Sequence, residues 1–299
     1  MTEVIGIDLG GTAIKLGRFT ADGICTQTLT VPTPQPSYPH AVIDRMVAVI
    51  EKLAPETIDI AAIGVGTPGP SDLAGKVAKI AINLDGWVDI PVATLLQART
   101  GVMTIVGNDG NCAGLGERWL GAGRHYHNWV LLTLGTGVGG AVFLNGELFT
   151  GHAGSAGELG LITLDASGHP CKSGNSGSLE QFLSGNAIRR MTGREPQEMG
   201  DLAATGDPDA LKFWENYGRN LGIGLTSIIY ILTPEVAIIG GGISDSARYF
   251  LPTANCEIDR RVMAVSRPSF KLIASELGNQ AGITGAAQLA WELVKQHNS

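Results

Sequence analysis

Val4-Ile-Gly-Ile-Asp-Leu-Gly-Gly-Thr12 is a β-branched apolar run that stops at a carboxylate, two glycines and a hydroxyl. Ala13 to Phe19 is a second such run, so the segment reads as strand, tight turn, strand. A third strand, Ile24 to Val31, follows the Asp22-Gly23 turn. The pattern returns in the second half. Leu131-Leu-Thr-Leu-Gly-Thr-Gly-Val138 leads through a glycine loop, Gly135 to Gly140, into the strand Ala141 to Leu144 and the turn Asn145-Gly146. A second pair matches as well: Ile60-Ala-Ala-Ile-Gly-Val-Gly66 and Val236-Ala-Ile-Ile-Gly-Gly-Gly242. Two pairs in the same order predict duplicated α/β halves that face each other across a cleft.

Other elements fill in around these. Ala41 to Leu53 has helical periodicity, Ile58 to Val65 and Val102 to Val106 read as buried strands, and a helix begins near Asn111. Asp207-Pro208 caps and opens a long helix that runs to about Leu232. Gln280 to Lys295 reads as a closing helix. The chain has 299 residues, which favours two domains. Lys and Arg number 21 against 28 Asp and Glu, a net charge of −7, which argues against nucleic acid and anionic membranes as partners. The four cysteines are scattered with no CxxC pair, as in a reduced, cytoplasmic protein. No basic and apolar leader opens the chain. The most apolar stretch, Leu221 to Ile243, is broken by Thr233, Pro234 and Glu235, so no membrane span is expected.

Gly135-Thr-Gly-Val-Gly-Gly140 matches GxGxxG, but a strand follows it rather than a helix, so a dinucleotide site is excluded. No Walker A motif occurs. A glycine hairpin still cradles phosphates through its backbone N–H groups. With two such loops, Asp8, Gly10, Gly11 and Thr12 become candidates for phosphate and Mg²⁺, and Lys15 is either a nearby cation or a solvated strand lysine. Asp109 ends a strand, where a general base for an alcohol belongs, or caps the helix that follows; the residues leave both open. Glu158 and Glu180, among Gly157, Gly160 and Gly177, are placed to accept hydroxyl hydrogen bonds, or lie on the surface. Asn83 offers an amide to a sugar; Trp87 offers a ring, or fills the core.

Taken together, these motifs resemble the ROK family of sugar kinases, within the actin/hexokinase-like superfamily, over nearly the whole chain. Val4–Thr12 resembles the first phosphate motif and Leu134–Gly140 the second, with Gly135, Thr136, Gly137 and Gly139 toward the nucleotide. Ile238–Ser244 resembles the adenosine motif, with Gly241 and Gly242. Gly107-Asn-Asp-Gly-Asn-Cys112 places the family's catalytic aspartate at Asp109, beside Asn108. Gly151–Gly160 and Gly177–Glu180 place the sugar-binding glutamates at Glu158 and Glu180.

The resemblance implies a two-domain actin/hexokinase-like (ribonuclease H-like) α/β fold with an interdomain cleft. The small domain spans 1–115, completed by a C-terminal helix at 280–296, and the large one spans 116–280. It implies an ATP- and Mg²⁺-dependent glucokinase of glycolysis, cytoplasmic and homodimeric, that phosphorylates the 6-hydroxyl of glucose. The alternatives are fructose, mannose or an amino sugar as acceptor, or polyphosphate as donor. The family's sugar-responsive repressors carry an N-terminal helix-turn-helix, and only three residues precede the first strand here. The family's zinc ligands would fall at Leu161, Cys171, Ser173 and Ser178, so no structural zinc is expected.

Overall fold

The computed structural model describes residues 2–55 and 58–298. The chain divides into two compact units, the first Met1–Arg124 with Thr150–Ala156 and Gln280–Ser299, the second His125–Phe149 with Gly157–Asn279.

The first unit contains β1 (Glu3–Leu9), β2 (Ala13–Phe19), β3 (Cys25–Pro32), α1 (Pro39–Leu53), β4 (Ile60–Thr67), β5 (Ala78–Ile80), β6 (Val88–Ile90), α2 (Val92–Thr100), β7 (Met103–Asn108) and α3 (Asp109–Leu120). Its main sheet has the order β3-β2-β1-β4-β7, antiparallel through the opening meander and parallel from β1 to β7. Alternation along β1 sends Ile5, Ile7 and Leu9 into a core with Val42, Met46 and Ile50 of α1 and Leu96 of α2. Trp87 is buried in that core and its indole N–H donates to the Ser37 carbonyl at 2.8 Å, so it is a packing residue. The β5–β6 hairpin and α2 carry too little periodicity to be read from the residues.

The second unit contains β8 (Trp129–Leu134), β9 (Val138–Leu144), β10 (Glu147–Leu148), α4 (Glu180–Leu183), α5 (Gly185–Thr192), α6 (Pro196–Ala204), α7 (Pro208–Leu232), β11 (Val236–Gly240), α8 (Ala247–Arg261) and β12 (Lys271–Ala274). Its sheet order, β10-β9-β8-β11-β12, repeats that of the first unit strand for strand. The glycine loop is shorter than the motif suggests. β9 begins at Val138, and Gly139 already pairs with Thr133 in the ladder. Asp207 caps α7, accepting the Ala210 N–H at 2.8 Å. Trp214, Tyr217 and Leu221 of α7 pack with Phe250 and Ala254 of α8 and with Val130 and Leu132 of β8.

The last helix, α9 (Ala281–His297), returns to the first unit. It covers the sheet face opposite α1, where Ile283, Ala287 and Ala290 meet Val4, Phe19 and Ala62. Glycines make that approach possible: a Cβ at Gly6 would lie 2.0 Å from the Ile283 carbonyl oxygen, and one at Gly64 only 1.8 Å from that of Ala286.

Candidate active site

Within the first unit, Asp8 stands at the C-terminal end of β1 and pairs across the ladder with Lys15 of β2. Burial raises the Asp8 pKa, and the Lys15 charge pulls it partly back. The carboxylate rests on the first turn of α9, where a Cβ at Gly282 would lie 2.9 Å from its Oδ2. The Gly10-Gly11 turn is held from outside its own hairpin. Thr33 Oγ1 donates to the Gly10 carbonyl at 2.7 Å, and Gln35 Nε2 to the Gly11 carbonyl at 3.2 Å. Neither clamp carries a sequence signal, since both reach back more than 20 residues. Asn83 adjoins the same turn, its carbonyl oxygen 3.4 Å from where a Gly11 Cβ would be.

At the end of β7 the two readings of Asp109 separate. Helix α3 starts at Asp109, not near Asn111, and its N-cap is Asn108, whose Oδ1 accepts the Asn111 N–H at 2.9 Å. The capping role is therefore filled by the neighbour. Asp109 Oδ1 accepts the Gly110 N–H at 2.7 Å and an Asn108 Nδ2 hydrogen at 3.0 Å, and Asn108 Nδ2 also donates to the Gly69 carbonyl at 3.1 Å. Cys112, one turn further along α3, is fully buried, and its thiol pKa is driven up by burial and then by the charges of Asp8 and Asp109. Both carboxylates thus lie within electrostatic reach of one thiol.

Within the second unit, Glu158 precedes a short turn, Leu159–Leu161, and Glu180 opens α4. The Glu158 side chain stays accessible, yet partial desolvation raises its pKa, and the Glu180 charge adds to the rise. Glu180 Oε2 accepts the Val138 N–H at 3.0 Å, so this acid touches the glycine loop as well. Gly241 turns the chain after β11 at φ +82°, and a Cβ there would collide with the Leu134 backbone at the end of β8. Next to it lies a cavity of about 110 Å³ lined by Pro196, Gln197, Gly200, Gly242, Ser246 and Tyr249, among others. The α6 side of that cavity has no motif that marks it in advance.

The loop from Leu161 to Ser178 is held by side chains. Asn175 Nδ2 donates to the Leu161 carbonyl at 3.1 Å and to Thr163 Oγ1 at 2.9 Å, and Cys171 Sγ lies 2.6 Å from Ser178 Oγ. One thiol, two hydroxyls and a leucine do not make the four-donor set of a structural zinc.

The arrangement thus has, in one unit, a carboxylate at the end of β1 before a clamped glycine turn and a second at the start of α3, both acting on one buried thiol. In the other it has a carboxylate pair beside a second glycine turn, and a cavity between α6 and the turn after β11. The ROK family profile matches residues 4–292. The chain belongs to the ROK family. A glucokinase of Streptomyces coelicolor is 33% identical with 98% of each chain covered, and one of Thermotoga maritima is 31% identical with the same coverage. The crystal structure of a ROK family glucokinase from Streptomyces griseus, in complex with glucose and AMPPNP, superposes with a TM-score of 0.87 at 30% identity, covering 97% of this chain and 99% of that one. The fold is the actin/hexokinase-like one, and this ROK protein is a sugar kinase. Among the described residues no helix is long and apolar enough to cross a membrane.

Proposed function

We propose that this ROK kinase is a glucokinase that transfers the γ-phosphoryl group of ATP to the 6-hydroxyl of glucose. The observation that carries the chemistry is the state of Asp109. It opens α3 directly after β7, its neighbour Asn108 does the capping, and two hydrogen bonds orient its Oδ1. As the hydroxyl oxygen attacks the γ-phosphorus in line, its O–H bond breaks and Asp109 takes the proton; the bond to the bridging oxygen breaks and ADP leaves. Asn83, Asn108, Glu158 and Glu180 hold the hexose, each acid accepting from hydroxyls. Gly10, Gly11 and Thr12, with Lys15, and the turn at Gly135, Thr136 and Gly137, continuing into Gly139, hold the phosphates. Gly241 and Gly242 border the cavity for the adenosine.

Asp8 fits a divalent cation: it is a desolvated carboxylate, and Mg²⁺ commonly uses one or two carboxylates and keeps its waters. When bound, Mg²⁺ would offset the charge of the β- and γ-phosphates there. The glucose assignment draws on the glucokinase relatives and on the S. griseus complex. Leu161 bears on the acceptor: it follows Glu158 by three residues and brings no side-chain hydrogen bond to a hydroxyl. From the resemblance we extend the proposal to a small domain of residues 1–115 plus the closing helix, a large one of 116–280, and a cytoplasmic homodimer acting in glycolysis.

The test is a coupled ADP-release assay over glucose, mannose, fructose and N-acetylglucosamine, repeated with polyphosphate and with a chelator. Glucose with ATP is expected to show the highest kcat/KM, with activity lost on chelation and restored by Mg²⁺. Preference for another hexose overturns the acceptor, preference for polyphosphate the donor, and full activity in chelator the role of Asp8.

A further inference from the structure

Glu180 belongs to two places at once. On one side it accompanies Glu158: the Leu179 N–H donates to the Ile162 carbonyl at 2.8 Å, which ties the start of α4 to the turn that carries Glu158. On the other side it touches the second glycine loop. Its Oε2 accepts the Val138 N–H at 3.0 Å, and a Cβ at Gly137 would lie 2.6 Å from that same oxygen. The carboxylate therefore lies directly on loop backbone. The rest of the loop is gripped by the segment that follows Glu180, because the Gly185 N–H donates to the Gly135 carbonyl at 2.8 Å and the Asn186 N–H reaches the Thr136 carbonyl at 3.5 Å.

We propose that Glu180 couples the two substrates: a hexose hydroxyl held by its carboxylate fixes Oε2 on Val138, and the loop so fixed receives the nucleotide phosphates at a lower ordering cost. This rests on the reading of Glu158 and Glu180 as hexose acceptors and of 135–137 as a phosphate loop. Ordering a segment with the first ligand removes part of what the second must order, which makes binding cooperative. Linkage makes the effect reciprocal: the hexose tightens the nucleotide by the same factor by which the nucleotide tightens the hexose. A glycine at 137 is then a requirement of the coupling, since any side chain there displaces the carboxylate.

The experiment measures AMPPNP binding by calorimetry with and without saturating glucose, then glucose binding with and without AMPPNP. It is run on the full chain and on Gly137→Ala and Glu180→Asp, with circular dichroism as the folding control. In the unaltered protein the two ratios should agree at about tenfold, within the usual span of such couplings. In Gly137→Ala the added methyl drives the carboxylate off the loop. In Glu180→Asp the shorter side chain cannot span hexose and loop together. In either variant the ratio should fall to within twofold of one, whatever happens to each affinity alone. If Gly137→Ala does not fold, Glu180→Asp decides. A ratio near one in the unaltered protein overturns the coupling, as does an undiminished ratio in the variants, which would route it elsewhere. Glucose binding without cooperativity leaves the glucokinase reading standing; no binding of glucose at all removes both.

Discussion

A carboxylate that takes a proton from a hydroxyl has to be oriented before the substrate arrives, and Asp109 is oriented by its immediate neighbours. Asp109→Asn keeps the shape and the Gly110 contact but cannot accept the proton. Turnover should fall about a hundred- to ten-thousandfold, the range of a general base, with glucose affinity by calorimetry within a few-fold of the parent. Wild-type turnover in the purified variant would remove the assignment. Glu158 makes a second prediction, on pH. Its ordinary value is near 4.5, and folding raises it, first by desolvation and then by Glu180. Below that ordinary value the group is protonated in folded and unfolded chains alike and favours neither. As pH rises through the raised value, the folded chain has to ionise a group that the unfolded chain ionises more readily, so stability is lost. Glu158→Gln does not ionise. Its Tm should therefore exceed that of the parent by more at pH 7.5 than at pH 4, in differential scanning fluorimetry without sugar; a gap independent of pH would refute the shift.

At the scale of elements, the candidate site depends on how closely α9 and α3 approach. A Cβ at Gly285 would sit 1.5 Å from the Cys112 carbonyl oxygen, one turn below Asp109. No rotamer relieves a clash with backbone, so Gly285→Ala should cost about 3 kcal/mol or more in urea unfolding, at or beyond the upper end of core overpacking. Gly101 is the contrast: it ends α2 at φ +71° and nothing lies within 4 Å of its would-be Cβ. Gly101→Ala should cost only about 1–2 kcal/mol of left-handed strain. Similar losses for the two would mean that α9 gives way. The same distinction governs what was legible in the residues. β1, β2, β8, β9 and β11 announce themselves because alternation and glycine turns are local signals. So does α7, through Asp207 and Pro208. The β5–β6 hairpin, α4 to α6, α8 and β12 are short or weakly patterned, and tertiary packing decides them. For the candidate site, Asp8 and the two glycine turns stand out from the residues, whereas Glu158 and Glu180 gain their roles only through the family resemblance. The capping question at Asp109 turns on one hydrogen bond, Asn111 N–H to Asn108, and the capping rule alone does not choose between two adjacent cap formers. The Thr33, Gln35 and Val138 contacts join distant segments and leave no local trace.

At the scale of the whole molecule, the repeat of one sheet order in two units hides an asymmetry in how each is completed. The second unit covers its sheet with α7 and α8, drawn from within its own stretch of chain. The first waits for the last helix: Val4, Phe19 and Ala62 are buried against α9, with Trp119 of α3 at the edge, and Gly6 and Gly64 present bare backbone to α9. Without α9 that face would expose apolar side chains to water, and the burial that favours the folded sheet would be lost with it. Hydrogen exchange reads stability segment by segment, so it separates the two units in one experiment. In a chain ending at Gln280, amides of β1 and β4 should exchange orders of magnitude faster than in the full chain, while those of β8 and β11 keep their protection. Undiminished protection in β1 would show that the first sheet stands on α1, α2 and α3 without α9. Loss in both units would show that the two fold as one cooperative body rather than each on its own core.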